Sequence, residues 1–320
     1  PWLSFWRVIV WPVPVWHGSA ISNFNLLQAS AGYRKVRDRY GRFSVHKKAY
    51  KIEGGEKMEP LIVISYHGQI CHVVNNNPAT RNSLSLEYIS GLCTLLEGFR
   101  EKIAGRPAAV ILSGAEGFFC SGGDLSGLQE RAQGHYAARR ALVDQLNDLV
   151  RAIRTCPCPV IAAVEGGAAG AGAAIALACD MICAAKTSFL ASSYVKIGLT
   201  PDAGTSVFLS AGVPRWLAAE LLFTGDKIAA ERLYQLGVVN HLTKDGAAIE
   251  TAFEVAGRLE AGPKDAIMRA KTLLAQAAIT DFDDQLEAEA DNLAQALGGA
   301  EAAEGISAFI NRRAPDFPKE

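Results

Sequence analysis

The chain has 320 residues, 49% of them hydrophobic and 20% charged, which suits one large α/β domain or two smaller ones with a substantial core. Residues 1–57 hold 10 of the 32 basic residues but only Asp38, Glu53 and Glu56 among the 33 acids, so the body carries 22 basic against 30 acidic residues. An acidic body argues against nucleic acid as the main partner, because neutralising phosphates needs a basic face, and no apolar run reaches the roughly 18 to 20 residues that span a bilayer.

The opening "PWLSFWRVIVWPVPVWHG" holds four of the five tryptophans, is interrupted by Pro12 and Pro14, and shows neither helical nor strand periodicity. Read back into codons, "EGGEKM" (53–58) can be a purine-rich stretch before an ATG, as at a bacterial ribosome-binding site. Met58 is therefore the expected start, and residues 1–57 read as translated upstream sequence, outside the folded body. A transit peptide is the alternative, since residues 1–37 contain basic residues and no acid; the tryptophans and the missing initial Met count against it.

From residue 60 the pattern is regular. "LIVISYHGQICHVVNNNP" predicts two short strands joined by a tight turn at His67-Gly68 and closed by an Asn-Pro breaker. "SLSLEYISGLCTLLEGFREKI" predicts a helix capped by Ser83 or Ser85. "AAVILSG" (108–114) and "PVIAAVEG" (159–166) read as buried strands with a long amphipathic helix between them at 127–155. "AGAAIALACD" reads as a helix leading into a third strand, "MICAA". Continuous apolar strands alternating with helices imply parallel strands and crossover helices. After residue 214 the chain turns mainly helical, with a long run from Pro263 to Leu297 and a last helix at 301–312.

The seven cysteines (71, 93, 120, 156, 158, 179, 183) show no C-x-x-C, and no histidine stands at metal-ligand spacing, so no metal site is expected. They read as reduced and mostly buried, which suits the cytoplasm. "CSGGDL" (120–125) places two glycines after a strand, as a positive-φ turn or a close backbone approach requires. "GGAAGAG" (166–172) opens a helix; by itself it reads equally as a close-packed helix start or as a ligand-facing turn. It does not fit the dinucleotide pattern G-x-G-x-x-G. Asp202, in "GLTPDAGT", by itself reads as a Pro-Asp turn or helix cap. Cys120 beside Ser121 makes a poor nucleophile, because no histidine falls in the segments expected around it.

"FFCSGGDL", "PVIAAVEGGAAGAGAAIALACDMICAA", "KIGLTPDAGTSVFLSAGVP", "AAERLYQLGVVN" and "AAEGISAFINRRAPDF" resemble the successive blocks of the crotonase superfamily, the enoyl-CoA hydratase/isomerase family, across residues 60–318. The resemblance implies an α/β fold, a spiral of ββα units with a helical C-terminal trimerisation region. It divides the chain into an extension (1–57), a crotonase core (58–255) and a helical region (256–320). It implies an acyl-CoA thioester as substrate, coenzyme A entering only as part of it and no other cofactor, and a homotrimer or dimer of trimers. It also implies that the N–H groups of Gly123 and Ala171 form an oxyanion hole for a thioester enolate. That role is physically reasonable, since each N–H sits where a Gly-rich turn enters a helix and the helix dipole favours negative charge.

Hydratases of the family hold a water between two glutamates, and the matching positions in this chain are Ala174 and Tyr194. Syn addition of water needs a group to take and return its protons, so isomerisation is the expected reaction, with Asp202 as its single acid/base. An apolar setting is expected to raise the Asp202 pKa. Hydration by Asp202 alone, or a non-catalytic CoA- or RNA-binding relative, are the alternatives. By family position Asn82, Ser83, Leu84 and Gly122 offer backbone contacts to CoA, and Lys271 resembles a lysine that approaches the CoA phosphates; by itself Lys271 also reads as a solvated helix face. Tyr194 and Leu125 are expected in the substrate pocket, built mainly by residues 126–145. Asp124 is expected to support the loop backbone. Phe309 and Arg313 belong to a terminal helix expected to pack across the site or a neighbouring subunit.

Overall fold

The computed structural model describes residues 60–318 and the strand Ser44–His46 (β1). β1 lies within the 1–57 extension expected outside the folded body, yet it pairs antiparallel with the first strand of that body; the remainder of the extension lies outside the described residues.

β2 (Ile62–His67) and β3 (Ile70–Asn75) form a hairpin. His67 pairs with Ile70, so the turn is Gly68–Gln69, one residue later than expected, with Gly68 at φ +58°. α1 (Leu86–Glu101) starts at Ser85, whose hydroxyl accepts the Tyr88 N–H at 3.0 Å. Three ββα turns follow. β4 (Ala109–Gly114) leads through a short bridge at Cys120 to α2 (Leu125–Ala132) and α3 (Tyr136–Thr155). β5 (Val160–Val164) leads through β6 (Ala168–Ala169) to α4 (Ala171–Ala178). β7 (Met181–Ala185) leads through β8 (Phe189–Ala191) to α5 (Thr205–Gly212). Then come α6 (Arg215–Thr224), β9 (Lys227–Ala229), α7 (Ala230–Gln235), β10 (His241–Thr243), α8 (Ala248–Glu260), α9 (Lys264–Gln276), α10 (Phe282–Leu297) and α11 (Ala300–Ile310).

The larger sheet runs β1-β2-β3-β4-β5-β7-β10 and is parallel from β3 onward; β6, β8 and β9 form the smaller one. Its parallel strands are buried on both faces, which explains their continuous apolar sequences. In β4, Val110 and Leu112 enter one core while Ala109 and Ile111 enter another; in β5 the split is Val160, Ala162 and Val164 against Ile161 and Ala163. The first core takes Leu92 and Leu96 of α1, Leu149 and Ile153 of α3 and Ile175 of α4. The second is closed by Ala252, Phe253 and Ala256 of α8. Burying each such large side chain contributes on the order of 1.5–3 kcal/mol. The 255/256 boundary drawn from the sequence falls inside α8, which covers the sheet.

Two expected long helices are each divided. The 127–155 helix breaks near Gly134, and α3 restarts with the His135 ring accepting the Ala138 N–H at 3.2 Å. The run after Pro263 breaks before Asp281, which caps α10 by accepting the Asp284 N–H at 3.0 Å. Among the described residues, no helix is long and apolar enough to cross a membrane and no cluster of His, Cys, Asp and Glu could hold a metal ion.

Candidate active site

The second strand of each ββα turn stacks on its neighbour. Leu84 bridges to Gly123 and Cys120 to Ala168, while β6 pairs with β8. The chain ends that enter α1, α2 and α4 therefore converge. The glycines of "CSGGDL" and "GGAAGAG" make this stacking possible. Gly122 lies at φ +98°, and a Cβ there would sit 2.6 Å from the Ala169 carbonyl oxygen and 3.4 Å from the Ala171 nitrogen. A Cβ on Gly172 would lie 2.5 Å from the Cys120 carbonyl oxygen. Two backbone loops are thus in contact where any side chain would separate them.

Gly123 precedes the cap of α2, and Ala171 is the first residue of α4. Neither N–H donates to an acceptor among the described residues; for Ala171 this follows from its place among the first amides of a helix, and Gly123 stands one residue before the cap of the next one. Both residues line one cavity of about 990 Å³. Two unpaired amides at helix starts, opening into the same cavity, favour an anion there.

Asp202 lines that cavity too. Ala203 and Gly204, at φ +51° and +78°, turn the chain sharply into α5, whose cap is Gly204 without a side-chain bond. Asp202 is therefore free of the capping role that its Pro-Asp context allows. Its Oδ1 accepts the Tyr194 hydroxyl at 2.7 Å, and the Thr205 hydroxyl, 3.3 Å from the Tyr194 oxygen, donates to the Asp202 carbonyl at 2.8 Å. Burial raises the Asp202 pKa, as expected from the sequence, and the Tyr194 hydrogen bond opposes the rise. Burial, and next the neighbouring Asp202 charge, raise the Tyr194 pKa in turn, so the phenol remains a donor.

The walls come from α1 (Leu86, Ile89), from Leu128 on α2, and from Leu142, Val143 and Leu146 on α3, so the segment 126–145 supplies part of the lining. Leu125 stands at the rim, 63% exposed. Asp124 and Asp202 are the two carboxylates of the lining. Asp124 is committed to the backbone, accepting the Ser126 N–H at 3.2 Å and the Gly127 N–H at 3.1 Å. Ala174 is fully buried within α4, away from the lining.

The expected CoA contacts divide. Ser83 and Leu84 line the cavity, although the Leu84 N–H donates to the Gly122 carbonyl at 2.8 Å. Gly122 and Asn82 do not line it, and their polar groups are engaged within the protein. Asn82 is fully buried at φ +57°. Its N–H donates to the Asn77 carbonyl at 2.8 Å and its carbonyl accepts from Asn75 Nδ2 at 2.7 Å. Its side-chain amide donates to the carbonyls of Ala115 at 2.8 Å and Phe118 at 2.6 Å. Asn82 knots the loop together and has no backbone group left over for a ligand.

Lys271 departs further from expectation. It is buried, with Nζ 2.6 Å from Asp180 Oδ2 and bonded to the carbonyls of Ile153 at 3.0 Å and Cys158 at 3.1 Å. The reason is local: α9 packs against the end of α3, and the ammonium satisfies the Ile153 carbonyl in the last turn of that helix and the Cys158 carbonyl just beyond it. It is a structural cation, neither solvated nor directed at a phosphate. Sequence reasoning missed Thr205, Arg131 and Asn147. The last two lie in the lining with Leu128, Ala132, Val143 and Leu146, at the helical spacing of three and four that marks one face.

A model of the family described as enoyl-CoA hydratase/isomerase matches residues 66–320. The human mitochondrial enoyl-CoA hydratase domain-containing protein 2 is 31% identical over 270 residues, covering 82% of this chain and 90% of that protein. The 1,2-epoxyphenylacetyl-CoA isomerase of Escherichia coli K12 is 32% identical over 243 residues, covering 76% of this chain and 92% of that enzyme. The crystal structure of an enoyl-CoA hydratase from Polaromonas sp. JS666 superimposes with a TM-score of 0.77 at 36% identity, covering 80% of this chain and 99% of that one. With its ββα spiral, its paired helix-start amides and these relatives, the chain belongs to the enoyl-CoA hydratase/isomerase family of the crotonase superfamily.

Proposed function

We propose that this chain is an acyl-CoA isomerase. The thioester oxygen is held by the Gly123 and Ala171 N–H groups, and Asp202 moves the proton. The observation that carries the reading is the carboxylate inventory of the cavity. Asp202 alone combines a raised pKa with freedom from helix capping, and the positions matching the two glutamates of family hydratases are Ala174 and Tyr194. With Oδ1 held by Tyr194, Oδ2 removes a proton alpha to the thioester or, in reverse, from the gamma carbon. The negative charge moves onto the thioester oxygen as the dienolate forms, and the same acid returns the proton at the other carbon. Each oxyanion donor of this kind contributes about 3–4 kcal/mol to lowering a barrier.

The substrates that fit are 3-enoyl thioesters converted to 2-enoyl thioesters, or ring-derived acyl-CoAs of the kind met in phenylacetate breakdown, which the name of the E. coli isomerase suggests. A homotrimer or dimer of trimers in the cytoplasm, requiring no cofactor beyond the CoA of the substrate, completes the proposal.

The test is incubation with 3-hexenoyl-CoA and 2-hexenoyl-CoA in deuterated water, with products followed by mass and absorbance. The expected result is conversion of the 3-enoyl to the 2-enoyl thioester, slowed about 10²- to 10⁴-fold by Asp202→Asn, with CoA thioester binding retained. Accumulation of 3-hydroxyhexanoyl-CoA would replace the isomerase reading with hydration, and full activity in Asp202→Asn would remove Asp202 from the mechanism.

A further inference from the structure

Away from the cavity, "CPCP" (156–159) brings together two thiols that the proposed reaction does not use. Cys156 and Cys158 flank Pro157 just before β5. Cys156 is extended at φ −56° and ψ 130°, and residues two apart in extended chain point the same way. Their Sγ atoms lie 3.3 Å apart, and each residue is 2% exposed. The Lys271–Asp180 ion pair occupies the same spot. Lys271 Nζ bonds to the carbonyl of Cys158 itself, and Asp180 Oδ2 accepts the Val160 N–H at 2.7 Å.

We propose that Cys156 and Cys158 form a reversible disulfide when hydrogen peroxide is the oxidant, and that closing it loosens α9 from the core. The inference is independent of the enolate chemistry. In the first step the Cys156 thiolate sulfur attacks one peroxide oxygen; the O–O bond breaks, the departing hydroxide takes the proton that Cys156 lost on ionising, and Cys156 becomes a sulfenic acid. In the second the Cys158 sulfur attacks that sulfur. The S–S bond forms, the S–O bond breaks, and the departing hydroxide takes the Cys158 proton. Two thiols and one peroxide yield one disulfide and two waters.

The surroundings assign the roles. The Cys158 hydrogen bond, aided by the Lys271 charge, holds Cys156 below the usual thiol range, whereas Cys158 is pushed well above it. Cys156 is thus the nucleophile, since the thiolate is the reactive form. A disulfide needs its sulfurs about 2.05 Å apart, so they must close by more than an ångström from 3.3 Å. Pro157 locks the φ angle between them, so the closure is divided between rotation about the two Cα–Cβ bonds and the backbone at Cys156 and Cys158. The Cys158 carbonyl moves with it, and it is one of the two that hold Lys271 of α9.

The experiment treats the reduced full-length chain with an equimolar amount of hydrogen peroxide, alkylates the remaining thiols and maps peptides by mass. The expected outcome is loss of two alkylation sites and two hydrogen atoms from the peptide containing residues 156 and 158. Dithiothreitol should restore both, and Cys156→Ala or Cys158→Ala should abolish the bridge. Amide exchange across Lys264–Gln276 should rise several-fold in the oxidised protein. If both thiols stay alkylatable while the part-exposed Cys93 reacts, or if the bridge forms to Cys71 or between chains, the pair is refuted. A disulfide that leaves exchange in α9 unchanged would refute the loosening.

Discussion

Asp202 presents one oxygen to the Tyr194 hydroxyl at 2.7 Å, and that bond stabilises the carboxylate against the burial that raises its pKa. A base must be ionised to work, so Tyr194→Phe is expected to move the acid limb of the kcat/KM profile to higher pH and to slow turnover more at pH 6 than at pH 9. An unmoved limb would show that the phenol only fills space. The sign for stability is opposite to that for activity. Because the folded pKa of Asp202 is raised, its stabilising contribution is complete below the ordinary aspartate value of about 3.9 and is lost as the pH rises through the folded value. Asp202→Asn should therefore raise Tm at pH 8, with the gain shrinking toward pH 4. Gly122→Ala places a Cβ at φ +98° and 2.6 Å from the Ala169 oxygen. It should cost about 1–3 kcal/mol of stability and lower kcat, read by thermal melts and initial rates. The two glycines were legible in the sequence as a demand for close approach, but the partner they approach was not.

At the scale of elements, sequence periodicity located the helices and the long buried strands, because apolar spacing follows from which face is buried, but not the two- and three-residue strands β1, β6, β8, β9 and β10, which are too short to carry a period. It failed at breaks. Gly134 and Asp281 divide helices whose apolar pattern continues on either side, and each break restarts with a local cap that only the folded backbone reveals. Lys271 was misread for a related reason. A lysine on an amphipathic helix reads as solvated or ligand-facing, and nothing along the chain shows that α9 lies on the carbonyl end of α3. Lys271→Met leaves Asp180 without its cation in a largely buried place, with an expected loss of about 3–5 kcal/mol in denaturant unfolding. Adding Asp180→Asn should recover part of that loss. Both variants should keep KM for acyl-CoA near the parent value if Lys271 is structural; a KM rise in the folded variant would restore the phosphate-binding role.

For the whole molecule, the helical C-terminal region leaves large apolar side chains uncovered. Ile279, Phe282 and Phe309 are 86%, 75% and 86% exposed in the single chain. Such surfaces are ordinarily covered in an assembly, and trimer formation is part of the proposed function. Light scattering is expected to give three or six times the chain mass, and Phe309→Asp to lower it; a monomer at micromolar concentration would contradict the assembly.

Along the chain alone, composition and continuous apolar runs alternating with helical periodicity determined an α/β fold with buried parallel strands, and five blocks in order determined the family. They could do so because burial on both faces and backbone close approach each demand particular residue types at particular places. The tertiary structure alone decided which polar groups remain available. It engaged Asn82 in its own loop, buried Lys271 against Asp180, held Asp202 with Tyr194, and left the Gly123 and Ala171 amides without partners among the described residues. Whether a donor or a charge is spent inside the protein or left for a ligand depends on what the fold places within about 3 Å of it, and the linear order of residues does not record that distance.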